Sequence, residues 1–314
     1  MTDTANESKS GVPTSVALLG TGPMGAPIAR NILAAGVPLT LWNRTPDKAR
    51  AIAGGRVAGT PAEAAAGVVL TVLPDLPQVA NLLPGDDGLL AGWRAAGVEE
   101  PVLVIHGTVS PVAVARFAED CKSRYGVTVV DAPLSGGTIG AEEGRLSTMV
   151  GGPGDTVQRL QPLFELYSST VVRFGEAGAG STVKACNQIV VSATVTALAE
   201  AMAVATATGL DPEKVQAILA GGLANSEVLR QKGQRWIGGD FEGGGSAKNQ
   251  LKDLNFIAEI AKDAGLTLPL SSSVRGAFEL MIAAGDGDLD HTGIYRTVLG
   301  QSVWAAGGGH LRSL

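Results

Sequence analysis

The chain is poor in the residues that build disulfide frameworks and metal centres. Its 314 residues hold two cysteines, Cys121 and Cys186, without CxxC spacing. A structural disulfide is not expected, and a reducing compartment fits. The histidines His106, His291 and His310 lie far apart and lack metal-ligand spacing, so no metal is expected. Positive charge is also short: 24 Lys and Arg stand against 30 Asp and Glu, for a net charge of −6. That balance disfavours nucleic acid or an anionic membrane as the main partner. It leaves room for a small anionic substrate held at a local positive site. No apolar run approaches ~20 residues, so no spanning helix is expected. The opening "MTDTANESKSGVPT" lacks the apolar segment of a secretory signal. The expectation is a cytoplasmic protein with a loose leader over 1–14.

What is present is core-forming material. Hydrophobic residues make up 45% of the chain and charged ones 17%, and the 43 glycines sit inside periodic segments. This composition builds a globular protein with close backbone packing rather than a disordered one. The length suits two domains. From 15 to about 175, short β-branched runs alternate with helical stretches: 15–20, 38–42, 68–73, 102–105, 128–131, 147–151 and 170–174. That alternation predicts an α/β domain, a doubly wound parallel sheet of Rossmann type, over 15–178. Most of the runs are continuously apolar, as strands covered on both faces are. After 178 the strand signals stop. A helix over 181–209, ended by Gly209 and Pro212, leads into an all-α domain over 179–314.

"VALLGTGPMGAPIARNIL" places Gly20, Gly22 and Gly25 in GxGxxG spacing after a strand and at the start of a helix. In that context the glycines serve a tight turn, the approach of a pyrophosphate, and close helix–strand packing. The second strand runs into Asn43, Arg44 and Thr45, where an NAD site usually carries an acid for the ribose hydroxyls. A guanidinium and two short polar groups suit a 2′-phosphate instead. NADP(H) is the preferred cofactor, with NAD(H) as the alternative.

These motifs resemble the β-hydroxyacid dehydrogenases, the group of 3-hydroxyisobutyrate dehydrogenase and tartronate semialdehyde reductase. The resemblance spans 15 to about 300. It rests on "LLGTGPMGAPIARNIL", "DAPLSGGTIGAEEGRLSTMVGG", "GAGSTVKACNQ" and "LKDL", in that order. "LPDLPQV", "GGLANSEVL" and the Asn-Gln pair after Lys184 lean towards the tartronate semialdehyde branch. The resemblance implies cofactor contacts at Gly20, Gly22, Pro23, Met24, Gly25, Leu73, Pro74, Thr108 and Lys252. It implies substrate contacts at Ser135, Gly136, Gly137, Asn187 and Gln188, and Lys184 as the catalytic residue.

The chemistry of that lysine follows from the reaction. Reduction of a carbonyl by nicotinamide needs a group that protonates the oxygen and stabilises its charge. Lys184 sits near a helix N-terminus among apolar neighbours, two effects that depress an ammonium pKa. Asn187 and Gln188 follow at i+3 and i+4 on one helical face. The hydroxyl and N–H groups of Ser135, Gly136 and Gly137 suit a carboxylate.

The chain departs from the family pattern at Ile105 and Gly107, where an acid and a serine are usual, and at Gly245, where an F-x-P-x-F segment has its second aromatic. With Gly243 and Gly244 beside it, Gly245 predicts a flexible, open pocket wall. Two sister readings are a 3-hydroxyisobutyrate-type dehydrogenase and an imine reductase on larger substrates. Imine reductases usually replace the lysine, so Lys184 counts against the second. A non-catalytic NADP-binding module is a reading of another class, and turnover with semialdehydes would exclude it. The apolar length of helix 181–209 predicts at least a dimer.

Overall fold

The computed structural model describes residues 11–300. The chain divides between Lys184 and Ala185 into two compact units. Residues 1–10 of the expected leader, the stretch 301–314 and His310 lie outside the described residues.

The first unit holds one sheet. Its strands are β1 (Val16–Leu19), β2 (Leu39–Trp42), β3 (Arg56–Val57), β4 (Val68–Thr71), β5 (Val102–Ile105), β6 (Thr128–Asp131), β7 (Leu134–Ser135), β8 (Leu146–Gly151) and β9 (Ser168–Gly175). They lie in the order β3-β2-β1-β4-β5-β6-β8-β7, with β9 also paired to β8. From β3 to β6 every pairing is parallel, in the Rossmann order. Alternate residues of one strand enter different cores. Val16, Leu18, Leu70 and Val104 pack with Ile28 and Ile32 on one face. Ala17, Leu19, Val69 and Leu103 pack with Leu89 and Trp93 on the other. Burial on both faces is why these strands read as unbroken apolar runs.

Two features correct the sequence reading. The pairings of β8 with β6 and with β7 are antiparallel, so the sheet is parallel-dominated rather than parallel throughout. The short strands β3 and β7 carry no apolar run of their own.

The second correction concerns Ala179–Ala207, a single helix of 29 residues. An 18-residue window in it reaches a mean hydropathy of 1.7, so it meets the length and composition of a membrane span. Counting unbroken apolar runs misses this, because serine and threonine interrupt the alanines and valines without lowering the mean far. The core helix of a soluble protein meets the same criteria, and 44% of the window is buried.

The second unit is helical. Pro212–Gly221, Glu227–Gly238, Ala247–Asp263 and Pro269–Ala283 are its longer helices after Ala179–Ala207. A short turn at His291–Gly293 leads into Ile294–Val298. Val195, Leu198 and Met202 of the long helix pack with Trp236, Leu254, Ile257, Phe278 and Met281. Asp211, Ser226 and Ser246 cap the helices that follow them with their side chains.

Candidate active site

The glycine loop joins β1 to the helix Gly25–Ala34. Its three glycines are used differently. A Cβ on Gly20, whose φ is 104°, would lie 2.4 Å from the Val72 carbonyl oxygen, and one on Gly25 would lie 1.9 Å from the Gly20 oxygen. Both positions exclude any side chain. A Cβ on Gly22 meets nothing within 4 Å, so that glycine keeps space clear above the loop. The helix behind it has no acid in its first turn and no side-chain cap. Its N–H groups are suited to an anion.

The loop is anchored from β2. Gly20 donates its N–H to Trp42 O at 2.9 Å, and Thr21 donates its own to Asn43 Oδ1 at 3.0 Å. Asn43 in turn donates to Thr45 O at 2.9 Å. Arg44 between them is exposed and makes no hydrogen bond or ion pair among the described residues. A clear glycine shelf and an uncapped helix start fit a dinucleotide, and the exposed Arg44 guanidinium stands at the end of β2.

Leu73 and Pro74 follow β4. A Cβ on Gly107 would stand 2.1 Å from Leu73 O, so the glycine is what lets the loop after β5 close on the loop after β4. The departure at 107 thus has a local steric reason. Ile105 is fully buried core. Half-buried Thr108 comes next.

His106 faces inwards. It donates from Nδ1 to Ala132 O at 2.6 Å, and Nε2 accepts from Tyr167 Oη at 3.1 Å. Phe164 and Tyr167 stand edge-on to its ring. Burial lowers the imidazole to about 4, against the raising effect of the Ala132 hydrogen bond. His106 is a neutral core residue.

Lys184 belongs to the same unit. It is 7% exposed, and its Nζ donates to Leu134 O at 2.7 Å. Ser135 is next in sequence, and Gly136 and Gly137 follow with φ of 128° and 66°. These values turn the backbone sharply at the start of Gly137–Glu142. The ammonium is therefore held beside the segment expected to take a carboxylate.

Sequence reasoning missed Asp131. This residue is fully buried at the end of β6, and its carboxylate accepts from Gly178 N at 2.7 Å and Ser181 N at 2.6 Å. It caps the long helix. Burial pushes its carboxyl up, and these hydrogen bonds work against that. The available signal was an acid closing an apolar strand just before "APLSGG".

In the second unit, Gln188 donates to Asp253 Oδ2 at 2.7 Å, and Asn187 donates to Gln188 Oε1 at 3.0 Å. Lys252 lies 3.7 Å from Asp253 Oδ1 and 5.7 Å from the Phe256 ring centre. The second missed residue, Asp253, thus ties Asn187 and Gln188 to the "LKDL" motif of this unit.

The loop 241–246 also corrects the reading. Asp290, fully buried, accepts from Gly245 N at 3.0 Å and from Lys232 Nζ at 2.5 Å. Asp290 N donates to Phe241 O and His291 N to Gly245 O, each at 2.8 Å. These backbone ties replace the expected flexible wall. A Cβ at Gly245 meets nothing within 4 Å, and Trp236 and Phe241 are buried in the core.

Residues 15–175 match the profile of the NAD binding domain of 6-phosphogluconate dehydrogenase. Residues 178–298 match that described as NAD-binding of NADP-dependent 3-hydroxyisobutyrate dehydrogenase. The 2-hydroxy-3-oxopropionate reductase of Escherichia coli is 34% identical over 89% of this chain and 95% of its own. The 3-hydroxyisobutyrate dehydrogenase of Pseudomonas aeruginosa is 32% identical over 90% and 95%. Among solved structures, 3-hydroxyisobutyrate dehydrogenase from Salmonella typhimurium superposes with a TM-score of 0.81 at 27% identity, over 90% of this chain and 99% of that one.

Proposed function

Since the chain belongs to the NAD(P)-dependent hydroxyacid dehydrogenases of the 3-hydroxyisobutyrate dehydrogenase type, we propose that it is an NADP-preferring reductase of a β-semialdehyde, the reaction of tartronate semialdehyde reductase. The observation that carries this reading is Lys184, buried, with its ammonium held on the Leu134 carbonyl beside Ser135, Gly136 and Gly137. When bound, a nicotinamide cofactor would supply or take the hydride. Lys184 gives a proton to the carbonyl oxygen on reduction and takes it back on oxidation, and its charge stabilises the oxyanion between. The Ser135 hydroxyl and the Gly136 and Gly137 N–H groups hold the substrate carboxylate. Asn187 and Gln188, the latter braced by Asp253, orient the substrate.

For the cofactor, Gly20, Gly22, Pro23, Met24 and Gly25 form the pyrophosphate shelf. Asn43, Arg44 and Thr45 receive the 2′-phosphate. Leu73, Pro74, Thr108 and Lys252 add further cofactor contacts. A cytoplasmic homodimer or homotetramer completes the proposal. Exposed Val190 and Val204 on the long helix support self-association.

A second reading, preference for semialdehydes larger than tartronate semialdehyde, is favoured by the open space at Gly245. The test of both is oxidation of NADPH and of NADH with tartronate semialdehyde, longer β-semialdehydes and one cyclic imine. Turnover of the semialdehydes with NADPH is expected. Turnover of the imine alone, or equal use of NADH, would refute the proposal.

A further inference from the structure

Lys184 can act only if its ammonium stays where the substrate oxygen will be, and a lysine has four rotatable bonds to lose it by. Two anchors from one short segment oppose that freedom. Asp131, at the end of β6, grips the backbone at the start of the helix Ala179–Ala207 through Gly178 N and Ser181 N, one oxygen to each. Leu134, on β7, grips the ammonium itself. The fit is tight on every side. A Cβ on Gly151 would lie 2.3 Å from Asp131 Oδ1, and one on Gly180 would lie 2.4 Å from Met149 O and 2.8 Å from Asp131 O. The helix start is therefore seated against β6 and β8 at backbone distance, and the segment 131–134 spans from that seat to the lysine head.

We propose that Asp131 is a positioning residue for Lys184, setting the helix's first turn so that the ammonium reaches the Leu134 carbonyl and the substrate oxygen beside it. The inference rests on the reading of Lys184 as proton donor. Asp131 touches neither substrate nor cofactor; it acts through the lysine. Asparagine cannot replace it. One carboxylate oxygen would become an NH2 group facing an N–H donor, in a space that Gly151 already closes.

The experiment measures NADPH affinity, kcat, KM and single-turnover hydride transfer for Asp131→Asn, Lys184→Ala and the double variant of the full chain. Asp131→Asn should bind NADPH as the wild type does, keep KM, and lose about 10²-fold in kcat and in hydride transfer, the cost of a misplaced catalytic group. The double variant should be no slower than Lys184→Ala, because the two residues act as one unit. A structural role alone would lower thermal stability and leave kcat per cofactor-binding molecule unchanged. That result, or losses that multiply in the double variant, overturns the proposal. Near wild-type turnover of Lys184→Ala would instead remove the reading on which it rests. If Asp131→Asn does not fold, Asp131→Ser, which is smaller and still accepts one N–H, takes its place with the same expectations. Loss of NADPH binding in both would assign Asp131 to the fold of the domain and overturn the proposal.

Discussion

Two glycine-rich loops, 20–25 in the first unit and 241–246 in the second, look equally loose in sequence and are built alike in space. In each, at least one glycine is pressed against a neighbouring oxygen and at least one faces clear space. Gly20 and Gly25 are pressed against backbone oxygens, while Gly22 faces clear space. Gly244, with φ of 77°, would put a Cβ 2.1 Å from Asp290 Oδ2, while Gly245 faces clear space. A glycine run is thus not a measure of flexibility. The compelled glycines fix the loop, and the open one decides what can approach it.

The comparison breaks if the two classes of glycine respond alike to alanine. Gly25→Ala should cost about 4 kcal/mol or more, because no backbone oxygen can yield by so much. Gly244→Ala should also destabilise, through the buried Asp290 carboxylate and its own φ. Gly22→Ala and Gly245→Ala should leave thermal stability within about 0.5 kcal/mol of wild type, and Gly22→Ala should weaken cofactor binding alone. Thermal melts with and without NADPH separate these outcomes.

The two units should also differ in acid. His106, in the first unit, is held neutral down to about 4, while the unfolded chain takes its proton near 6.5. Its stabilisation is complete above 6.5 and is lost as pH falls from 6.5 to 4, by about 3 kcal/mol in all. In the second unit, burial raises the Asp290 carboxyl, but His291 and Lys232 outweigh it and hold the group below its usual range. That contribution is lost only as pH falls below the ordinary carboxylate value. Asp131, held high, works in the opposite sense, gaining stability as pH falls. The His106 effect is therefore read as the difference between wild type and His106→Asn in urea melts from pH 7 to 4. Parallel pH curves for the two proteins would show that His106 does not carry it.

Smaller effects should come from the rims. Arg44→Ala should weaken NADPH by about 1.5–3 kcal/mol and NADH hardly at all, since only NADPH brings a 2′-phosphate. Equal losses would mean that Arg44 does not read that group. Gly245→Phe should shift kcat/KM towards tartronate semialdehyde and away from longer semialdehydes by about 1–3 kcal/mol. An unchanged preference would separate the open space at Gly245 from substrate choice.

What could be read in the sequence was local. The strands β1, β2, β4, β5 and β6 announce themselves because both faces are buried, and GxGxxG because its context is strand, turn and helix. What could not be read depends on partners far along the chain. Asp131 meets Gly178 and Ser181 across 47 and 50 residues, and Asp290 meets Gly245 across 45. The strands β3 and β7 are too short to carry a period and exist because a neighbour offers an edge. Lys184 was legible from its motif, but the carbonyl that holds it was not.

The central claim is that Lys184 handles the proton while the glycine loop handles the cofactor. The direct test is Lys184→Ala, measured for turnover of a β-semialdehyde and for NADPH affinity on the same preparation. The account predicts a loss of ~10²–10⁴-fold in kcat with NADPH affinity nearly unchanged. Turnover close to wild type would contradict it.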